Sequence, residues 1–222
     1  HVEDVVCALQ IAAENQVPVL PRGAGTSQCG QTVGEALVLD GSKYLTSVRH
    51  FEPVERKITV EPGIVLDVLN SFLRPHGLFF PVDVSTSSRA TIGGMAGNNS
   101  VGARSIRYGL MVDNVIGIDA LLADGESVHF RPGIPVAEEG RLPDLFARME
   151  ALYAREQEEI DLRFPKILRN VAGYNLNRLG RADINLSDLL VGSEGTLAWF
   201  QTLDLDLQPI PSHRVAGVCH FP

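Results

Sequence analysis

Apolar residues recur at helical spacing in three stretches of the chain. They follow one another at intervals of three and four over residues 3–15, which predicts an amphipathic helix. A second helix is predicted around Leu66, Leu69 and Leu73. The third spans about 145–160 and is rich in charge. Each buries only one face, so a core must form against other elements.

Short apolar runs and alternating patterns predict strands between these helices. A hairpin turn is expected at 123–126, where the sequence reads Ala-Asp-Gly-Glu. Helices and strands do not alternate regularly, so the predicted fold class is α+β. The predicted strands are Val17–Leu20, Ala36–Asp40, Lys57–Glu61, Val112–Leu122, Ser127–Phe130, Leu189–Val191 and Leu197–Leu207.

Three segments dense in glycine, serine and threonine each follow an apolar stretch. We name them the first segment (Pro21–Gln31, PRGAGTSQCGQ), the second segment (Pro81–Gly102, PVDVSTSSRATIGGMAGNNSVG) and the third segment (Val191–Leu197, VGSEGTL). Such segments offer backbone N–H groups with little side-chain bulk, which suits close approach to a large anionic ligand. Three of them in one domain point to a dinucleotide, and their character points to FAD.

The first segment fits neither of two common phosphate-binding motifs. A Rossmann fingerprint would need a third glycine at Gln28 and a helix afterwards, and a P-loop would need a glycine–lysine pair. A tight turn between two strands, rich in N–H donors, remains a suitable pyrophosphate site, and a plain glycine-rich turn is the alternative. In the second segment, Gly93 and Gly94 indicate passage close to a flat ring, or else a glycine-rich contact between helices.

Composition narrows the class of protein. The 222 residues are 45% hydrophobic and carry a net charge of −8, which argues against a nucleic-acid partner. Cys7, Cys29 and Cys219 are odd in number and far apart, so we expect neither a disulfide framework nor a metal site. Free thiols and the absence of a long apolar run favour a cytoplasmic location, or one at the inner face of a membrane. We interpret the chain as a piece of a longer protein, cut at both ends.

The ordered motifs resemble the FAD-binding domain of the vanillyl-alcohol-oxidase and para-cresol-methylhydroxylase superfamily. Within it they are most similar to the D-lactate, glycolate and D-2-hydroxyglutarate dehydrogenase branch. The first segment resembles the pyrophosphate loop, and FPVDVSTSSRATIGGMAGNNSVGARSIRYG resembles the flavin-cradling stretch. DNVIGIDALLADG resembles the following strand and hairpin, and LLVGSEGTL the closing motif. RFPKILRNVAGYNLNRL, Arg163–Leu179, is similar to a stretch of large members that carry a fused iron–sulfur module.

The resemblance implies a two-lobed α+β domain with an extended FAD between the lobes. The first lobe would cover about 1–80 and the second about 81–210, and 211–222 would begin a substrate-binding cap. The resemblance implies that the pyrophosphate is bound by Arg22, Gly23, Ala24, Gly25, Thr26, Ser27 and Gln31. It implies that the flavin and ribityl chain are lined by Pro81, Asp83, Ser87, Thr91, Gly93, Gly94, Asn98, Ser100 and Gly102. It also implies that the residues closing over the cofactor are Val115, Glu194, Gly195 and Thr196.

Two departures from the family pattern affect the cofactor site. Some relatives attach FAD through a histidine in the first segment. This chain has none there, so we expect non-covalent attachment. Relatives often continue the third segment with a glycine, whereas Ala198 and Trp199 follow here.

The implied activity is oxidation of a 2-hydroxy acid, with hydride passing from the substrate Cα to flavin N5. The electron acceptor would be an iron–sulfur module or a quinone. A non-catalytic flavin-binding subunit of an electron-transfer complex is the alternative. A flavin reductase of cell-wall precursor synthesis shares the fold, but the third segment and Arg163–Leu179 favour the hydroxy-acid branch.

No catalytic residue is assigned from the sequence. We expect structural roles for the candidate bases, because none lies in a glycine-rich segment. Arg104 and Arg107 follow the second segment and either steer an anion or form surface ion pairs. Tyr174 and Asn175 are candidates for the substrate side. The histidines considered as bases are His50, His76, His129, His213 and His220.

Overall fold

The computed structural model describes residues 1–133, 141–181, 184–213, 215 and 217–221. The mixture of helices and strands confirms the α+β class. No described helix is both long and apolar enough to cross a bilayer. In chain order the elements are α1 (Val2–Glu14), β1 (Val19–Arg22), β2 (Leu37–Asp40), β3 (Val48–Glu52), β4 (Lys57–Val60), α2 (Leu66–Leu73), β5 (Leu78–Phe79), α3 (Ile92–Gly97), α4 (Ser105–Tyr108), α5 (Met111–Asn114), β6 (Val115–Leu121), β7 (Ser127–Phe130), α6 (Arg141–Arg163), α7 (Ser187–Leu190), β8 (Trp199–Asp206) and β9 (Gln208–Pro209).

The central feature is a five-stranded antiparallel sheet in the order β3-β4-β8-β6-β7. Alternate side chains of its middle strands are fully buried, among them Ile58, Ile118 and Leu203, because successive residues of a strand point to opposite faces. Helix α2 adds Leu69 and Leu73 to the same core. The second and third glycine-rich segments contribute apolar residues such as Ile92 and Val191 to this core.

The other face of the sheet is polar and internally paired. Thr59 and Thr202 donate hydrogen bonds to Asp204 and Asp119 on neighbouring strands, at 2.6 and 2.7 Å. Arg131 bridges these two aspartates at 3.0 and 2.7 Å. Because this face satisfies its own charges, it offers few unpaired groups to a ligand.

The predicted lobe boundary near residue 80 remains a prediction. Strands β3 and β4 lie before it and β6–β8 after it, and all five belong to one sheet. Residues 1–40 contribute α1 and a separate two-stranded sheet of β1 and β2. In 211–222, where a cap was expected to begin, the described residues form no helix or strand.

The prediction that the first segment is a tight turn is wrong. Strands β1 and β2 run parallel, with Val19 opposite Leu37 and Arg22 opposite Asp40. Parallel neighbours cannot be joined by a tight turn, so residues 23–36 must cross from one end of the pair to the other. The crossing leaves a long loop that follows the cleft described below.

Two other predictions about elements change, and one strand was not predicted. Strand β6 begins at Val115 because Met111–Asn114 is helical, a turn closed by the Asn114 amide donating to the Tyr108 and Leu110 carbonyls. Leu189–Val191, expected as a strand, largely belongs to α7. There, the Asn185 side chain accepts the Ser187 N–H at 3.1 Å and starts a helical turn. Strand β3 was not predicted; it is an edge strand and pairs only with β4.

Candidate functional site

The three glycine-rich segments meet, and small residues make the contact possible. A Cβ atom on Gly23 of the first segment would lie 2.1 Å from the Thr91 hydroxyl oxygen of the second. A Cβ on Gly195 of the third segment would lie 3.1 Å from the Pro21 ring. Gly195 also has a φ of +75°, a conformation that L side chains rarely adopt. These glycines therefore allow the segments to touch through backbone.

The second segment forms α3 and packs on the turn that precedes α2. A Cβ on Gly93 would lie 2.5 Å from the Pro62 side chain, and one on Gly63 would lie 2.1 Å from the Gly41 carbonyl oxygen. The sequence left two possibilities open for this glycine pair, a ring-lining loop or a tight contact. In the structure Gly93 makes a tight contact and also lines the cleft.

A cleft of about 340 Å³ lies where the three segments converge. Cofactor pockets commonly have this size and concave shape. Fourteen of the twenty residues predicted in FAD binding line it: Arg22, Gly23, Ala24, Gly25, Thr26, Ser27, Gln31, Thr91, Gly93, Gly94, Asn98, Ser100, Glu194 and Gly195.

The other six predicted residues do not line this cleft. Asp83 and Ser87 line a neighbouring cavity of about 260 Å³ that shares Val84 with the cleft. Gly102 is pressed against Asp83, since a Cβ there would lie 1.7 Å from the Asp83 carbonyl oxygen. Pro81 and Val115 are buried and Thr196 is exposed, and all three lie outside the lining.

Sequence reasoning missed part of the cleft wall. Gly41 and the Pro62–Gly63 turn line the cleft but were not among the residues predicted in FAD binding. Their glycines at strand ends are the signal that could have identified them. On β8, Trp199 was noted only as a departure from the family pattern and Phe200 was missed, because the pattern of this strand indicates only burial. The further lining residues are Pro21, Gln28, Thr32, Gly41, Pro62, Gly63, Val84, Ser85, Thr86, Ala90, Met95, Gly97, Ala198, Trp199 and Phe200.

Glu194 connects all three segments at the edge of the cleft. Its Oε1 accepts hydrogen bonds from the Asn98 amide at 2.7 Å and the Gln31 amide at 3.4 Å. The Gln31 amide also donates to Ser27 at 2.6 Å. Glu194 has a φ of +52°, a strained conformation for a residue with a side chain. Strain of this kind is concentrated at functional sites, which fits the position of Glu194.

Arg22 is the only Arg or Lys side chain among the cleft-lining residues described. Its Nη2 donates to Asp40 at 2.7 Å, and this pair bridges β1 and β2. Burial opposes ionisation of Asp40, but hydrogen bonds from Ser42 and Arg22 lower the pKa of its carboxyl below the ordinary value. The pair holds the guanidinium at the start of the first segment.

Two buried polar atoms of the cleft have no hydrogen-bond partner among the described residues. They are Arg22 Nε, a donor, and Gln31 Oε1, an acceptor. Buried polar groups are nearly always paired, so an unpaired donor and acceptor in one cleft indicate a missing ligand. The donor is cationic, which suits an anionic group on that ligand.

None of the five histidines considered as bases lines the cleft, in the part of the chain that the structure describes. His129 contacts Asp119 at 2.9 Å on the polar face of the sheet, and His50 contacts Glu52 at 2.7 Å. The His76 ring packs on Phe51 with 4.8 Å between centroids. All three positions have structural explanations.

Arg104 and Arg107 are held by aromatic rings. Their guanidinium carbons lie 5.5 and 5.3 Å from the ring centroids of Phe79 and Tyr108. Neither forms an ion pair within the described ranges of the chain. This arrangement does not match the surface ion pairs considered as one alternative.

A buried ionic cluster lies next to the third segment. Arg178 pairs with Asp113 and, at 3.6 Å, with Asp188 of α7. Burial raises the pKa of Asp188 to about 6, and the positive charges of Arg178 and Arg181 only partly offset it. Asp188 is therefore a carboxyl whose charged form is costly in the folded protein.

Comparison with known proteins identifies the domain. Residues 1–131 match a protein family described as FAD binding domain. The chain belongs to this family of FAD-binding domains. The prediction of FAD as the cofactor is thereby confirmed at the level of the family. The unpaired donor and acceptor and the backbone-lined wall described above fit such a cofactor.

Relatives at 30–35% identity extend the family assignment. D-2-hydroxyglutarate dehydrogenase of Pseudomonas putida is 35% identical over 90% of this chain. Probable mitochondrial D-lactate dehydrogenase of Danio rerio is 31% identical over 100% of it, and the glycolate oxidase subunit GlcD of Bacillus subtilis is 30% identical over 96%. The chain spans only 21%, 36% and 37% of these proteins, respectively.

A solved structure supports the fold. An alkyldihydroxyacetonephosphate synthase superposes with a TM-score of 0.65 at 19% identity, covering 95% of this chain and 33% of that one. At this identity the likeness concerns the fold alone. Together with the family match over residues 1–131, it supports an α+β FAD-binding domain of the para-cresol-methylhydroxylase type.

Proposed function

We propose that the chain is the FAD-binding part of a flavin-dependent dehydrogenase that oxidises a 2-hydroxy acid of the D-lactate, glycolate or D-2-hydroxyglutarate type. The observation that carries this proposal is the convergence of three glycine-rich segments on one cleft. It occurs in a chain 30–35% identical to such enzymes over 90–100% of its length. When bound, FAD supplies the hydride acceptor.

The chemistry of the cleft-lining residues indicates which part of the cofactor each would bind. Backbone N–H groups and hydroxyls of Arg22–Ser27, with the unpaired Arg22 Nε, suit the diphosphate. Thr91, Gly94 and Asn98 border the rest of the cleft with small and polar groups, as the flavin and ribityl chain require. The first segment contains no histidine, so the proposed attachment is non-covalent.

Oxidation of a 2-hydroxy acid also needs a cationic clamp for the carboxylate and a base for the hydroxyl. In the cleft, Arg22 already pairs with Asp40, and no histidine is present among the described lining residues. We therefore propose that substrate recognition depends on parts of the enzyme outside these 222 residues. The cytoplasmic location and an iron–sulfur or quinone acceptor remain predictions of the sequence.

Anaerobic flavin reduction tests this function. The complete gene product and this chain alone, both loaded with FAD, are mixed with D-lactate, glycolate or D-2-hydroxyglutarate while flavin absorbance is recorded. Bleaching by one acid in the complete protein alone is the expected result. No bleaching in either protein would favour a non-catalytic flavin subunit. Equal rates in both would place the catalytic residues within this chain.

A further inference from the structure

The segment Arg169–Asn175, which we name the bridging segment, contacts both the second and the third glycine-rich segments. Asn175 is 7% exposed, and both polar atoms of its side-chain amide form hydrogen bonds. Its Nδ2 donates to the carbonyls of Asp188 at 3.0 Å and Val191 at 2.8 Å. Its Oδ1 accepts from the amide of Asn99 at 3.5 Å. One buried side chain thus connects α7, the start of the third segment and the second segment.

Asn99 extends this connection towards the sheet. Its side chain is completely buried, and its Oδ1 accepts the Val112 N–H at 3.1 Å. Asn99 has a φ of +50°, so its backbone is held in an uncommon conformation. Its neighbours Asn98 and Ser100 line the cleft. A contact to Asn99 therefore influences two cleft-lining residues without touching the cleft.

Tyr174 connects the bridging segment to Thr196 of the third segment. Its hydroxyl lies 2.8 Å from Thr196 Oγ1, and Thr196 donates its own hydroxyl hydrogen to the Ser193 carbonyl at 2.6 Å. Because a hydroxyl has one hydrogen, Tyr174 is the donor in this pair. Ser193 and Thr196 flank the cleft-lining pair Glu194 and Gly195.

Packing and a further hydrogen bond hold the bridging segment in place. A Cβ on Gly192 would lie 3.2 Å from the Gly173 carbonyl oxygen, so the backbones approach closely. Arg169 Nη2 donates to the Gly102 carbonyl at 3.2 Å. The bridging segment therefore contacts the second segment at Asn99 and Gly102, and the third at Val191, Gly192 and Thr196.

We propose that Tyr174 and Asn175 are positioning residues that hold the second and third glycine-rich segments in the geometry that binds FAD. Neither lines the cleft; they act through Thr196 and Asn99. This inference rests on the proposed placement of FAD in the cleft. The substrate-side role considered for the two residues from the sequence stays a separate prediction.

Tyr174→Phe tests the proposal most cleanly. Tyr174 is 41% exposed, so loss of its hydroxyl should leave the melting temperature of the FAD-free protein nearly unchanged. FAD is titrated into the FAD-free complete gene product, and the change in flavin fluorescence gives Kd. We expect Kd to rise about fivefold, as for loss of one hydrogen bond. The control is Tyr44→Phe, a more exposed tyrosine away from the cleft lining, which should leave Kd unchanged.

Asn175→Ala removes the other connection, with the exposed Asn177→Ala as its control. We expect weaker FAD binding and a lower melting temperature, because two carbonyls and Asn99 lose their partner. An unchanged Kd in Tyr174→Phe overturns the proposal, even if Asn175→Ala does not fold. If Tyr174→Phe leaves Kd unchanged but Gly23→Val abolishes FAD binding in the same assay, the positioning role is wrong while the placement of FAD in the cleft still holds. If Gly23→Val also binds normally, the cleft placement itself is wrong.

Discussion

The five-stranded sheet and the cleft are stabilised in opposite ways. The sheet buries apolar side chains such as Ile118 and Leu203, and its polar face pairs its own charges. The cleft is lined largely by backbone and short side chains, and two of its buried polar atoms have no partner among the described residues. The polar face of the sheet satisfies its own charges, whereas the cleft offers two unsatisfied polar atoms to a ligand.

Because of this difference, substitutions in the sheet and in the cleft should change different quantities: the free energy of unfolding and the affinity for FAD. A substitution in the sheet removes packing and lowers the free energy of unfolding with or without FAD. A substitution at a glycine contact of the cleft changes the shape offered to the cofactor while the sheet is retained. Paired measurements of unfolding and FAD affinity therefore test the distinction directly.

Gly23→Val should have the largest effect. Its Cβ would overlap the Thr91 hydroxyl at 2.1 Å, so the first and second segments must separate. We expect FAD binding to fall at least about a hundredfold, because the wall of the cleft is displaced. Isothermal titration calorimetry measures the affinity. Gly34→Val is the matched control, since nothing lies within 4 Å of a Cβ at Gly34. Equal losses in both variants would contradict the prediction.

Leu203→Ala should act on the sheet instead. Leu203 is fully buried in β8, and truncation should lower the free energy of unfolding by about 2–5 kcal/mol. Urea unfolding of the FAD-free protein measures this change. The folded protein should retain its affinity for FAD. Selective loss of affinity with unchanged unfolding would show that sheet and cleft are not separate.

Asp188→Asn should change how stability depends on pH. The folded-state pKa of Asp188 is about 6 against an ordinary value of 3.8, so the folded protein binds this proton more tightly. Its contribution to stability is present below about pH 4 and is lost as pH rises through 6. The difference between these two pKa values corresponds to about 3 kcal/mol of unfolding free energy. Relative to wild type, the variant should gain stability between pH 4 and 6 in urea unfolding. A constant difference across that range would disprove the assignment.

Gln31→Leu should have the smallest effect. Gln31 Oε1 is buried and has no partner among the described residues, so we expect it to accept a hydrogen bond from FAD. Its loss should weaken FAD binding about fivefold, while loss of the amide's hydrogen bonds to Ser27 and Glu194 should lower the free energy of unfolding without FAD by less than about 1 kcal/mol. Gln10→Leu on the exposed part of α1 serves as the control in the same titration. A larger loss of stability than of affinity would assign Gln31 a structural role.

The sequence predicted elements whose signal is local. Helical spacing identified α1, α2 and the charged α6, and glycine-rich composition identified all three segments of the cleft. It did not predict the parallel pairing of β1 and β2, because register between distant strands depends on the whole fold.

Local hydrogen bonds from side chains to the backbone and long-range contacts also escaped sequence reasoning. Asn185 converts an apolar run into the helical turn α7, although the run itself suits a strand. The contact between Asn99 and Asn175 joins residues 76 positions apart, and no spacing rule predicts it. Asp83 and Ser87 were placed by resemblance alone, and they line the neighbouring cavity.

A crystal structure of this chain with FAD would show whether the cofactor occupies the cleft. We expect the diphosphate within hydrogen-bonding distance of Arg22–Ser27. Arg22 Nε and Gln31 Oε1 should both be paired, with no covalent bond to the protein. FAD in the neighbouring cavity lined by Asp83 and Arg104, or elsewhere on the surface, would contradict it.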